Sequence, residues 1–132
     1  MTETLKIQIP IYKTSLQVFF GTAEECIEAQ RNDGRSERDI DDWRRHNAAT
    51  SYAGAFHMGD DTYNLIWLCK WPESVGEYGD LVHEIEHAVF YILDSRGLKH
   101  TEESDEAYAY LSSFLFCEID SYIAKENEKN GR

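Results

Sequence analysis

His83, Glu84 and His87 stand in a His-Glu-x-x-His arrangement, in the segment His83-Glu84-Ile85-Glu86-His87. On an α-helix, side chains four residues apart share a face, so both imidazoles are placed to reach one metal ion. Neutral imidazole is a preferred zinc donor, and a glutamate beside such a pair can take a proton from a water activated by the ion. A catalytic zinc ordinarily takes three protein ligands and keeps one position open, so another His, Asp or Glu must fold back to the pair. The start of a following helix is the place to look, because a helix hairpin returns the chain alongside its predecessor. There the sequence offers His100, Glu102, Glu103, Asp105 and Glu106. Tyr91, Tyr108 and Tyr110 are candidate donors to an oxyanion, or simply packing aromatics of amphipathic helices. His46 and His57 read as ordinary surface or hairpin residues, and Trp67 and Trp71 as packing residues.

Such a site needs a helix beneath it, and the spacing predicts one over residues 79–97. Leu81, Ile85, Ala88, Val89 and Ile92 recur at helical intervals on a face separate from that of the histidines. Gly97 supplies a stop, with Arg96 in the last turn. Beyond it, Ala107, Leu111, Phe114, Leu115, Ile119, Tyr122 and Ile123 mark a second long amphipathic helix, with Thr101 or Ser104 as its N-cap. Upstream, residues 5–20 alternate as a β-hairpin interrupted by Pro10, which puts the first strand at a sheet edge or bulges it. Residues 22–30 form a short helix opened by Thr22. Residues 35–47 are heavily charged, with Ile40 and Trp43 as their only anchors, and read as a solvated loop or a short surface helix. Residues 50–58 and 62–71 flank the turn sequence Gly59-Asp60-Asp61 and make a second hairpin. Its run Leu65-Ile66-Trp67-Leu68-Cys69 suits a strand covered on both faces and closed by Pro72. A connection over 73–79 leads to the histidine helix. The expected fold is α+β, a small sheet of two hairpins packed by a helix pair.

The His83-Glu84-x-x-His87 motif followed by Ser104-Asp105-Glu106-Ala107, with Glu106 nineteen residues after His87, resembles the gluzincin-type metallopeptidases. In those proteins the next helix supplies a glutamate ligand from an Asn-Glu-Ala-like motif. The pattern is similar also to small phage-associated metallopeptidase-like proteins. The resemblance spans residues 60–120 in element order and is specific at His83, Glu84, His87 and Glu106. It implies a zincin-like fold, a Zn2+ cofactor held by His83, His87 and Glu106, and peptide hydrolysis with Glu84 as general base. His100, thirteen residues after His87, is the alternative third ligand, although the glycine-turn spacing of the all-histidine branches is absent. The chain departs from the larger family members in having Tyr110 where an acid one turn beyond the glutamate would orient a histidine. Asp94 or Asp120 is left to fill that role. The expectation is a minimal domain without their large C-terminal lobe. The implied function is a zinc metallopeptidase (hydrolase) whose peptide lies along an upstream strand, residues 63–69 or a neighbouring edge. The alternative is a non-catalytic acidic interaction protein or phage antagonist built on the same scaffold.

Length and composition frame these readings. The 132 residues suit one domain, expected over 1–124 with a polar C-terminal tail over 125–132. Cys26, Cys69 and Cys117 are odd in number and widely spaced, which fits a reducing compartment rather than a disulfide framework. With no signal-peptide pattern and no bilayer-length apolar run, the expectation is a cytoplasmic protein, in the host cytoplasm if phage-encoded. The net charge of −12 disfavours nucleic-acid phosphates as partners and favours a basic peptide or protein.

Overall fold

The computed structural model describes residues 3–48, 53–57 and 63–131. β1 (Glu3–Ile9) and β2 (Thr14–Phe20) pair antiparallel, with Leu5 opposite Val18 and Ile7 opposite Leu16. Pro10 lies just past the end of β1 rather than inside it. Having no N–H to give a ladder, it opens a 3-10 turn (Pro10–Tyr12) that Lys13 closes at φ 53°. α1 (Ala23–Asn32) starts on a reciprocal cap between Thr22 and Glu25. α2 (Glu37–Trp43) starts on Ser36, whose hydroxyl accepts the Asp39 N–H, and runs into a π-helical turn (Arg44–Ala48). β3 (Ala53–His57) pairs antiparallel with β4 (Asn64–Leu68), as the second hairpin requires, and β4 pairs parallel with β2. The expected turn at Gly59-Asp60-Asp61 lies outside the described residues. The sheet order is β1-β2-β4-β3, which leaves β1 and β3 at the edges.

Alternation along the two inner strands sorts side chains to opposite faces. Leu16, Val18 and Phe20 of β2 and Ile66 and Leu68 of β4 join a core closed by α3 (Val75–Asp94) and α4 (Asp105–Lys129). Phe19, Leu65 and Trp67 point the other way and meet Cys26, Ile27, Ile40 and Trp43 of α1 and α2. Helices therefore cover both faces of the sheet, whereas the sequence had suggested the α3–α4 pair alone. Of the two readings of the charged stretch, the short helix holds and the solvated loop does not, and its anchors Ile40 and Trp43 are both 0% exposed. Each such burial stabilises the fold by about 1.5–3 kcal/mol, enough to hold a seven-residue helix whose other side chains are polar. β4 is buried at every position, which matches its continuous apolar run.

α3 begins four residues before the expected Gly79. Ser74 accepts the Glu77 N–H and Glu77 reaches back to the Ser74 N–H, so a reciprocal cap starts the helix at Val75. Leu81, Ile85, Ala88, Val89 and Ile92 are all buried, as their spacing predicted. At the other end Gly97 adopts φ 79°, and the Leu98 and Gly97 N–H groups return to the Leu93 and Asp94 carbonyls. This is the left-handed stop that glycine permits. α4 continues to Lys129, so most of the expected polar tail is helical. Among the described residues no helix is long and apolar enough to cross a membrane.

Candidate metal centre

His83 and His87 sit mid-way along α3, one turn apart on its solvent side. Their Nε2 atoms are 3.2 Å apart and the rings meet edge to face at 4.7 Å between centroids. Two Zn–N bonds of about 2.05 Å at a tetrahedral angle set their nitrogens roughly 3.3 Å apart, so the donor spacing fits one zinc ion. A carboxylate oxygen of Glu84 lies within 4.8 Å of a ring nitrogen of each histidine, and no other such group of three is found among the described residues. Glu84 is only 8% exposed, on the flank between the histidines and the core. Burial pushes its carboxyl pKa up, an effect that His83 and His87 oppose and Asp80 reinforces.

Two neighbours define the surroundings of this stripe. At about 100° per residue, Glu77, Asp80 and Glu84 fall on one flank of α3 and Tyr78 on another. Glu77 and Asp80 share a cavity with Ala53, the first residue of β3, so their flank faces that edge strand. Tyr78 instead feels the carboxylate of Asp120, which lies on α4. The histidines are thus turned toward the β3 side and solvent, away from α4.

That orientation explains why the third ligand expected from α4 does not join the group. α3 and α4 are antiparallel, with Tyr78 near Asp120 at one end and Tyr108 donating to the Leu98 carbonyl at 2.6 Å at the other. Counted from either contact, the histidines fall level with residue 111 or beyond on α4, so Glu106 is at least five residues short of them, about 7 Å or more along the axis. Glu106 is exposed in the first turn of α4 and lies outside the cluster. That turn adjoins the end of α3 and not its middle, where the helix-hairpin expectation puts it. His100 is also elsewhere, stacked on Tyr108 at 4.1 Å with Nε2 3.1 Å from Asp105. Glu102 and Glu103 are exposed in the same connection and likewise outside the group.

Of the three tyrosines, Tyr91 adjoins the site, its ring stacked 6.2 Å from that of His87. Tyr108 spends its hydroxyl on the Leu98 carbonyl, and Tyr110 projects from α4 beside Ile11 and Phe114. Asp94 pairs with Lys99, and the Asp120 carboxylate acts at a distance on the Tyr78 phenol; among the described residues neither aspartate bonds a histidine. His46 bonds the Asp42 carbonyl, and the side chain of His57 lies outside what is described. Trp67 donates to the Gly21 carbonyl and Trp71 stacks on Phe20, so both pack as expected. Asp80, three residues before His83 and four before Glu84, is the side chain of this stripe that the sequence reading passed over. Its i, i+4 relation to Glu84 was the available signal. No family model, curated protein or solved structure matches the chain.

Proposed function

We propose that the protein is a zinc-dependent peptidase of zincin-like build, with His83 and His87 holding the ion and Glu84 as general base. The 3.2 Å separation of the two Nε2 atoms, with the Glu84 carboxyl in the same cluster, carries this reading. When bound, zinc supplies Lewis acidity toward water and toward a scissile carbonyl. Glu84 takes the proton of the attacking water on a carboxylate oxygen and passes it to the leaving amine. Its burial keeps a proton acceptor close to the histidines in a partly water-excluded setting. Tyr91, beside His87, donates to the oxyanion that develops on the carbonyl. The peptide lies along β3, whose outer edge pairs with no strand among the described residues and which packs against α3. The interior strand β4, the other candidate, is paired on both sides.

One observation favours a second reading. Glu106, the ligand the resemblance calls for, stands outside the group, as it would in a zinc-retaining scaffold that binds a partner without cleaving it. Activity separates the two. Zinc-loaded protein is expected to cleave members of a random peptide library, and Glu84→Gln to lower kcat by about 10²–10⁴. No cleavage by the zinc-loaded protein, or cleavage undiminished in Glu84→Gln, sinks the peptidase reading.

A further inference from the structure

One helical turn before Glu84, α3, the sheet and the chain after β4 border a half-open cavity of about 240 Å3. Ala53, Leu68 and Pro72 supply apolar wall, and Lys70, Glu77 and Asp80 supply charge. The three charges are not equivalent. Lys70 and Glu77 form an ion pair at 2.5 Å, and Glu77 also caps α3, so these two neutralise each other. Asp80 has no hydrogen bond or ion pair among the described residues. The lining therefore carries one uncompensated negative charge above an apolar wall, in a chain of net charge −12.

A side chain that fits such a lining has an aliphatic stem and a cationic head, because the stem covers apolar wall while the head meets the carboxylate. We infer that this cavity is a specificity pocket that takes a lysine or arginine side chain of the peptide, with Asp80 as the group that selects it. The inference rests on the peptidase reading for its placement: a peptide along β3 passes Ala53 and the flank of α3 that carries both Asp80 and Glu84. One turn of helix, about 5.4 Å, separates those two residues, so the basic side chain enters beside the bond that reacts. An acidic side chain is rejected by the same charge, and an uncharged one of equal length gains the wall contact alone.

The test measures binding apart from cleavage. Full-length Glu84→Gln protein with added zinc is titrated with the peptides acetyl-Ala-Ala-Xaa-Ala-Ala-amide, where Xaa is Lys, norleucine or Glu, followed by amide NMR shifts. The Lys peptide should bind about three- to fivefold more tightly than the norleucine peptide, and the Glu peptide more weakly than either. Asp80→Asn, isosteric and exposed, should bring the Lys and norleucine affinities together, and Asp80→Lys should reverse the Lys–Glu order. Equal affinities in the parent protein, or a Lys preference that survives Asp80→Asn, overturns the pocket. If the preference is present while zinc-loaded wild type cleaves none of these peptides or the library, the pocket stands as a binding site and the peptidase reading falls. Cleavage without regard to Xaa has the opposite meaning.

Discussion

Zinc should stabilise this protein through two histidines of one helix, without help from the first turn of α4. The perturbations are His83→Ala, His87→Ala and Glu106→Gln, each compared with wild type as zinc is titrated in. A ligand that binds only the folded state at a hundredfold excess over Kd adds about 2.7 kcal/mol. Unfolding of 132 residues carries an entropy of about 0.28 kcal/mol/K near Tm, so that gain is a rise of about 10 °C. Losing either histidine leaves one donor of the 3.2 Å pair and should abolish the rise. Glu106 lies at least about 7 Å along the helix axis from the histidines. A Zn–O bond spans about 2 Å, so Glu106→Gln should leave both the rise and the zinc midpoint unchanged. Differential scanning fluorimetry against free zinc, with chelator as baseline, gives all four curves. If Glu106→Gln shifts the zinc midpoint tenfold or more, the argument from helix register is refuted and the first turn of α4 closes on the site when zinc binds. If zinc raises Tm in none of the proteins, the metal reading itself fails.

Three further outcomes test the surrounding structure. Ile40→Ala should cost about 2–5 kcal/mol in urea unfolding despite its charged sequence context, because it empties a fully buried position between α2 and the sheet; a loss under about 1 kcal/mol would return α2 to the surface. The Lys70 ammonium and the Glu73 and Ser74 N–H groups hold the Glu77 carboxyl at about 2, below its ordinary 4.5. Its charge therefore contributes stability in full above pH 4.5 and loses it as pH falls from 4.5 to 2. The Tm gap between wild type and Glu77→Gln should close over that window, and a gap constant down to pH 2 contradicts the cap. Burial pushes the Cys26 thiol up to about 12 while Cys117 is exposed. Mass spectrometry after brief iodoacetamide treatment at pH 8 should find Cys117 modified and Cys26 intact until the chain is unfolded. Equal labelling of the two in the native protein contradicts the burial.

Some of this protein is local and can be read from residue order. The pairing of His83 with His87 follows from the pitch of an α-helix, and the helix itself from its five apolar positions and the Gly97 stop. The two hairpins and the doubly buried β4 follow in the same way from period-two patterning and a continuous apolar run. What residue order did not show is relative placement. The start of α3 at Val75 is masked by Gly76 and Gly79, which look like a connection, although the Ser74-x-x-Glu77 cap that overrides them is itself local. The burial of α2 hangs on two apolar side chains, too few for a periodicity, and becomes visible only when Phe19, Leu65 and Trp67 are seen to need covering. The distance of Glu106 from the histidines is set by the axial register and rotation of α4 against α3. That register comes from Tyr108, Leu111, Leu115, Ile119 and Ile123 packing into a core shared with the sheet. A metal site needs side chains from different elements within a few ångströms. One helix supplies two of its donors by its own geometry, but only tertiary packing decides which other elements come near them. Here the helix itself also brings Glu84 and Tyr91, while packing adds the edge of β3 and holds Glu106 away.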